Sequence, residues 1–193
     1  PRDIVSILDH RSIDQLKHGG MIGGDRMIYN NYAKFYSRHL DRFIKFDQKK
    51  LVIVECGILK GTGLAMWSIL FPKAKIIGLD IDVSNTRNNL INLKNSGAFK
   101  YNDPFLINFD QLDPMPYIDD LVKVLGSNEI NIFIDDGLHS RNSILNTFNE
   151  LEKFLHNDSV YFIEDNGLIH EDFKKINHGL KLFHYGRLTV LEK

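Results

Sequence analysis

The chain has 193 residues, of which 43% are hydrophobic and 25% charged, as expected for one ordinary globular domain. Its net charge of −1 does not favour a uniform basic face for nucleic acid, and no apolar run reaches the roughly 18 residues that a membrane helix needs. The single cysteine, Cys56, excludes an internal disulfide and a thiolate metal cluster, so we expect a protein of the reducing cytoplasm.

Residues 1–48 are polar and mixed, and we interpret them as an N-terminal helical segment that could form a lid. Ile4–Leu16 has a weak helical pattern, a glycine-rich break follows, and Arg26–Phe46 is predicted to be a helix. That second helix carries aromatic residues at helical spacing: Tyr29, Tyr32, Phe35, Tyr36 and Phe43. Such a stripe is more often part of a core than a surface for stacking a ligand.

Residues 49–193 alternate between short apolar runs and helical patterns. The apolar runs predict parallel strands at 51–56, 75–80, 105–109, 130–134 and 160–163. Helices are predicted at 64–71, 84–95 (with Ser84 as the N-cap), 115–125, 140–156 and 171–180. Leu182–Tyr185 and Leu188–Leu191 predict a closing hairpin. The chain is therefore predicted to be an α/β protein with a doubly wound, mostly parallel seven-stranded sheet and a C-terminal antiparallel hairpin.

Acidic residues lie at the ends of all of the predicted parallel strands. They are Glu55, Asp80, Asp110, the pair Asp135 and Asp136, and the pair Glu164 and Asp165. Ligands of open parallel sheets bind at the carboxyl ends of the strands, where these side chains are expected to gather. Clustered carboxylates repel one another unless they bind a hydroxylated ligand or a cation.

The first predicted strand leads into a glycine-rich loop with the pattern Glu55-x-Gly57-x-x-x-Gly61-x-Gly63. Its glycines would let the backbone approach a ligand closely, but the spacing is not that of dinucleotide-binding loops, and a plain turn is the alternative. Asp80 ends the next strand, where an acid can accept the protons of ribose hydroxyls. The alternative for Asp80 is a charge that stabilises a helix N-terminus.

Asp136, Glu164 and Asp165 follow strands that are expected to be neighbours, about 5 Å apart. Three carboxylates with room for water and substrate suit Mg²⁺, and His139 could stand beside the ion as a general base. Zinc is disfavoured because no second histidine or cysteine accompanies them. The alternative is a set of separate helix caps or solvated loop acids. His170 is a weaker substrate-side candidate, and Cys56 is expected to pack in the core.

These motifs together resemble those of class I S-adenosylmethionine-dependent methyltransferases. More narrowly, they are similar to the metal-dependent macrolide sugar O-methyltransferases of the mycinamicin and macrocin type. The resemblance covers roughly residues 19–166. It rests on the first-loop pattern and on the segments 66–72, 78–81, 109–113, 134–139 and 163–165. Arg26 stands where that family commonly has lysine, Leu138 where a small polar residue is usual, and Asn166 where threonine is common.

The resemblance implies binding sites for S-adenosylmethionine and Mg²⁺. The cofactor would contact Glu55, Gly57, Gly61, Gly63, Asp80, Ile81, Asp110, Gln111 and Asp135. Asp136, Glu164 and Asp165 would ligate Mg²⁺, and His139 would be the base. The implied domain for this chemistry is 49–193, and the implied reaction is methyl transfer to a hydroxyl of a sugar or glycosylated small molecule.

Other functions remain open at this point. The acceptor could be a catechol-like or other vicinal diol, because the metal chemistry would be unchanged. The chain could also be a nucleotide-binding module without catalysis. An NAD-linked oxidoreductase is disfavoured by the loop spacing and by the lack of a Tyr-x-x-x-Lys pair. We expect a small-molecule, sugar-containing acceptor as the partner, with no nucleic acid and no membrane, and leave a homo-oligomer open.

Overall fold

A computed structural model describes residues 26, 30–44, 48–176 and 179–193 of the chain. The predicted helix at Ile4–Leu16, the glycine-rich break and Tyr29 lie outside the described residues. The described residues therefore include only part of the predicted N-terminal segment, but they include every predicted strand.

Seven strands form one sheet in the order β3-β2-β1-β4-β5-β7-β6. The strands are β1 (Val52–Cys56), β2 (Lys75–Asp80), β3 (Phe105–Asn108), β4 (Ile130–Asp135), β5 (Leu155–Ile163), β6 (Lys181–Tyr185) and β7 (Leu188–Glu192). The first five pair in parallel, while β7 runs antiparallel to both β5 and β6. The predicted mostly parallel sheet with a C-terminal hairpin is thus confirmed.

Helices cover both faces of this sheet. They are α1 (Ala33–Ile44), α2 (Thr62–Leu70), α3 (Ser84–Asn95), α4 (Ile118–Leu125), α5 (Arg141–Leu151) and α6 (Ile169–Lys175). Two hydrophobic cores lie on opposite faces of the sheet, and successive side chains of β5 point into different ones. Phe162 packs with Trp67 and α1, whereas Tyr161 packs with Phe148 of α5. None of the described helices is both long and apolar enough to cross a membrane.

Two helix predictions had the wrong ends. The helix predicted from Arg26 to Phe46 begins only at Ala33. Arg26 lies in a turn, and its backbone carbonyl accepts from the Tyr32 amide at 2.9 Å. The helix predicted to reach His156 ends at Leu151, followed by a single 3₁₀ turn. Leu155 then begins β5, because it pairs with Ile130 of β4. Strand pairing thus overrode the local helical pattern.

Smaller corrections concern α3 and α6. Ser84 is not a side-chain cap: Val83 occupies the N-cap position, and the Ser84 amide donates instead to Asp82 Oδ1 at 2.9 Å. The helix predicted at 171–180 runs from Ile169 to Lys175. Asn108 ends β3, so Asp110 follows this strand in a loop and is not its last residue. The carboxyl ends of the strands remain where the acidic residues gather.

The strand order reverses at β1, which pairs with β2 on one side and β4 on the other. The loops that leave β1 and β4 meet at this switch point, where open α/β sheets bind their ligands. Gly57 has φ +86°, and a Cβ atom placed on it would lie 2.1 Å from the Asp136 carbonyl oxygen. Glycine is therefore required for the two loops to cross at this distance.

Candidate functional site

A cavity of about 550 Å³ opens at the carboxyl ends of β1, β2 and β4. Its volume is in the range of small-molecule sites. Five of the residues predicted to bind a cofactor line it together: Gly57, Asp80, Ile81, Asp110 and Gln111. Phe109, Leu112 and Leu138 add apolar surface. The cavity therefore combines apolar walls with carboxylates, as a nucleoside would require.

Asp80 ties the glycine-rich loop to β2. Its Oδ2 accepts from the amides of Ile58 and Leu59 at 2.9 and 3.0 Å, and its Oδ1 accepts from the Asp82 amide at 3.1 Å. Each carboxylate oxygen has two lone pairs, so these bonds leave capacity for hydroxyl donors of a ligand. Asp80 thus both shapes the loop and faces the cavity.

Glu55 lies behind the glycine-rich loop and is only 1% exposed. Its Oε2 accepts from Trp67 Nε1 at 3.0 Å, and its Oε1 accepts from Arg26 Nη2 at 2.7 Å. A Cβ atom on Gly63 would lie 2.2 Å from Glu55 Oε1, so Gly63 makes room for this carboxylate. Gly61 precedes α2 in a left-handed conformation with φ +78°. These predicted binding residues therefore support the loop from behind.

Asp135 is also buried, and Gln111 holds it. Gln111 Nε2 donates to Asp135 Oδ1 at 2.8 Å, while its Oε1 accepts from the Leu138 amide at 2.7 Å. Tyr161 donates to Asp135 Oδ2 at 3.3 Å. Burial raises the pKa of Asp135, although the hydrogen bonds from Gln111 and other donors oppose the rise. Gln111 therefore fixes the loop after β4 in addition to lining the cavity.

Asp136, His139 and Asp165 converge beside the cavity. One ligand atom from each lies within 4.8 Å of the others, and all three residues are half-buried. His139 Nε2 lies 4.0 Å from Asp136 Oδ1. His139 and Asp165 both have φ +56°, a conformation that is uncommon outside glycine and that tends to persist at functional sites. Two of the three predicted metal ligands and the predicted base therefore lie together, whereas Glu164 is not part of this group.

Glu164 is not one of the three converging residues, but it shares Arg26 with Asp136. Arg26 Nε donates to Glu164 Oε1 at 2.5 Å, and Tyr36 donates its hydroxyl to the same oxygen. Glu164 Oε2 is buried and has no hydrogen-bond partner among the described residues. Burial raises the pKa of Glu164 to about 7, while Arg26 and Tyr36 oppose the rise.

Arg26 is the cation at the centre of this network and is 6% exposed. Its Nη2 also donates to Asp136 Oδ2 at 2.9 Å. Burial disfavours the charged form, but Glu164, Glu55 and Asp136 together raise the pKa of Arg26 above its ordinary value. In the sequence, Arg26 was noted only as standing where the resembling family commonly has lysine, which gave no sign of these partners.

Three polar side chains that were not predicted as site residues hold the acidic group in place. Tyr32 and Asn30 donate to Asp165 Oδ1 at 2.8 and 3.1 Å. Asn166 Nδ2 donates to the His139 carbonyl at 2.9 Å. Tyr32 belongs to the aromatic stripe and is 2% exposed, so it is a core residue that also reaches the site. The sequence marked Asn166 only as a departure from a family pattern.

The residues present fit a divalent cation. Asp136 and Asp165 offer carboxylate oxygens beside the His139 imidazole, and the buried Glu164 Oε2 has no hydrogen-bond partner among the described residues. An oxygen-rich donor set of this kind suits Mg²⁺ better than zinc.

No protein-family model matches the chain. Over 151 residues it is 27% identical to the 8-demethyl-8-alpha-L-rhamnosyl tetracenomycin-C 2'-O-methyltransferase of Streptomyces olivaceus. That match covers 74% of this chain and 35% of the relative, so the chain spans about a third of the relative's length.

The solved structures that share the fold include two methyltransferases. MycE, a methyltransferase from the mycinamycin biosynthetic pathway in complex with Mg, SAH and mycinamycin VI, has a TM-score of 0.62 at 21% identity. This match covers 84% of the chain and 49% of MycE. The chain has the class I methyltransferase fold. The SAH-bound Podospora anserina methyltransferase PaMTH1 has a TM-score of 0.62 at 12% identity, covering 98% of this chain and 86% of PaMTH1. The resemblance to methyltransferases is thus confirmed.

Proposed function

We propose that the chain carries out S-adenosylmethionine-dependent, Mg²⁺-dependent methyl transfer to a hydroxyl of a sugar-containing small molecule. The observation that carries the proposal is the position of Asp136. It lines the cavity that contains Gly57 and Asp80, and it also belongs to the group formed with His139 and Asp165. A methyl donor in the cavity and an acceptor at the acidic group would therefore be neighbours.

On the donor side, Asp80 would accept protons from ribose hydroxyls at the cavity edge. Ile81, Phe109 and Leu112 would surround the apolar part of the nucleoside, and Gly57 would allow close approach of the backbone. Glu55, Gly61, Gly63 and Asp135 would act on cofactor binding by holding the loops that form the cavity. This division of roles is supported by the buried hydrogen bonds of Glu55 and Asp135.

On the acceptor side, Asp136 and Asp165 would hold Mg²⁺, with Glu164 as the third predicted ligand. When bound there, the ion would lower the pKa of a coordinated hydroxyl. His139 would accept the proton of that hydroxyl, and its side chain is 35% exposed and so remains accessible. Tyr32 and Asn30 would keep Asp165 oriented. Holding donor and acceptor side by side would supply much of the rate enhancement.

A sugar hydroxyl is favoured over a catechol-like diol by the comparisons. The Streptomyces olivaceus relative is by its name a rhamnosyl 2'-O-methyltransferase, and the MycE structure contains mycinamycin VI. The same acidic group would also serve a catechol, so the two acceptor classes need a direct test.

The test begins with calorimetric titration of S-adenosylmethionine into the protein, with NAD as the comparison ligand. Transfer of a labelled methyl group is then measured against a panel of rhamnosides, other glycosides and catechols, with Mg²⁺ and with a chelator. We expect cofactor binding and methylation of a glycoside that the chelator abolishes. Cofactor binding without transfer to any acceptor would favour a binding module, and NAD binding without S-adenosylmethionine binding would overturn the proposal.

A further inference from the structure

Arg26 brings together carboxylates from the ends of three strands. Its guanidinium donates to Glu55 near the end of β1, to Asp136 after β4 and to Glu164 after β5, at 2.7, 2.9 and 2.5 Å. The residue is 6% exposed, so water screens these ion pairs little. The buried Arg26 guanidinium therefore already contacts an oxygen of each of two predicted metal ligands, Asp136 and Glu164.

Arg26 contacts only one of the two carboxylate oxygens of Asp136 and of Glu164. Arg26 takes Asp136 Oδ2 and Glu164 Oε1, whereas Asp136 Oδ1 faces His139 at 4.0 Å and Glu164 Oε2 is buried without a hydrogen-bond partner among the described residues. A divalent ion at Asp136 and Glu164 would lie next to the guanidinium, and two cations at that distance repel. Metal and Arg26 cannot both have full use of these carboxylates.

We propose that Arg26 is an internal competitor of the divalent cation. In the metal-free protein its guanidinium neutralises Asp136 and Glu164, and when Mg²⁺ binds it gives up part of that contact and relies more on Glu55. Glu55 provides this second position because it is not one of the predicted metal ligands and already accepts from Arg26 at 2.7 Å. The inference rests on the metal site of the proposed function.

Trp67 provides a reporter for this movement. It is the only tryptophan of the chain. Its Nε1 donates to Glu55 Oε2 at 3.0 Å, and Arg26 Cζ lies 5.6 Å from the centre of its ring. A shift of the guanidinium toward Glu55 would change the electrostatic field at the indole, so Mg²⁺ should change the Trp67 emission of the unmodified protein.

The experiment titrates Mg²⁺ calorimetrically into the parent protein, Arg26→Met and Arg26→Lys. Arg26→Met removes the competing charge at similar length, so we expect Mg²⁺ to bind at least about tenfold more tightly. Arg26→Lys keeps the charge and should bind Mg²⁺ much as the parent does. Thermal unfolding adds an independent measurement: Arg26→Met should be destabilised without Mg²⁺ and should recover with it, because the ion replaces the lost charge.

Equal or weaker Mg²⁺ binding by folded Arg26→Met would overturn the inference and would make Arg26 an organiser of the site. If Arg26→Met does not fold, the parent protein decides: Trp67 emission that is unchanged at saturating Mg²⁺ contradicts the competition. Asp165→Asn, which keeps all three Arg26 contacts, should lose Mg²⁺ binding and locates the ion. Failure of all proteins to bind Mg²⁺ would instead remove the metal from the proposed function, together with this inference.

Discussion

His139 is the general base of the proposed mechanism; it is half-buried beside Asp136, and its backbone carbonyl accepts from Asn166. We expect His139→Ala to bind S-adenosylmethionine normally and to transfer methyl groups about 100-fold more slowly or worse, the usual effect of losing a positioned base. Calorimetry and initial rates measure the two effects. His156→Ala is the matched control, because His156 is half-buried at the far end of β5. Parental turnover of His139→Ala would exclude His139 as the base.

Gly57 allows the first loop to cross the loop that contains Asp136, and its replacement should damage both. A Cβ atom there would meet the Asp136 carbonyl at 2.1 Å in addition to adopting φ +86°. Gly97 is a control with φ +95° and no heavy atom within 4 Å of its added Cβ. We expect Gly97→Ala to cost about 1 kcal/mol of unfolding free energy, from the left-handed backbone alone, and Gly57→Ala to cost clearly more.

Denaturant unfolding of the two alanine variants measures these free energies, and calorimetry measures S-adenosylmethionine binding. Only Gly57→Ala should lose cofactor affinity. Equal destabilisation of both variants would show that the loop crossing is not as close as described.

Asn166 connects two elements at the acidic group. Its Nδ2 donates to the His139 carbonyl, while its Oδ1 accepts from the amides of Leu168 and Ile169 at 2.9 Å, where α6 begins. Asn166→Asp keeps the accepting oxygen and loses the donor, whereas Asn166→Ala loses both. We expect Asn166→Ala to lose about 1 kcal/mol of unfolding free energy through the missing bonds at the helix start, with little change in Asn166→Asp.

Methyl-transfer rates complete this comparison. Both Asn166 variants should slow transfer while leaving cofactor binding intact, because both release the His139 backbone. Parental rates in Asn166→Asp would show that the bond to His139 does not position the base.

At the level of elements, the sequence predicted those strands and helices whose ends are marked by a local change from apolar to polar residues. Both β2 and α3 have the predicted bounds, because an apolar run and a helical stretch are each closed by polar residues. The end of α5 was missed because Leu155 continues the helical spacing, and only its pairing with Ile130 places it in β5. Strand partners are distant in sequence, so local periodicity does not reveal them.

The candidate site likewise has a part that the local sequence predicted and a part that depends on contacts between distant residues. The residues that follow the strands were predicted to gather there, because parallel strands end at one edge of the sheet. The role of Arg26 could not be predicted, because its partner Glu164 is 138 residues away. No spacing rule connects a turn before α1 with the end of β5. Buried ion pairs of this kind become visible only once the fold brings their residues together.

For the whole molecule, Cys56 offers a probe of cooperative unfolding. It is buried at the end of β1, and burial followed by the nearby carboxylates raises the pKa of its thiol. At pH 8 the native protein should therefore hold the thiol protonated, and disulfide reagents should react with it far more slowly than with a free cysteine.

Unfolding in urea should restore fast labelling of Cys56, in step with the loss of secondary structure. S-adenosylmethionine should slow the native reaction further, since Cys56 lines the proposed cofactor cavity. Rapid labelling of the native protein, equal to that of the unfolded chain, would contradict the burial of β1.

Asp136 has one further consequence, because it borders the cavity and also contributes to the acidic group. The Asp136 amide donates to the Cys56 carbonyl at 2.9 Å, which holds this residue in place. A ligand in the cavity and a cation at the acidic group would therefore contact the same constrained residue. Thermodynamic linkage then requires reciprocity: whatever factor the methyl donor contributes to cation affinity, the cation must return to the donor. Any coupling between the two sites would therefore pass through Asp136 and act equally in both directions.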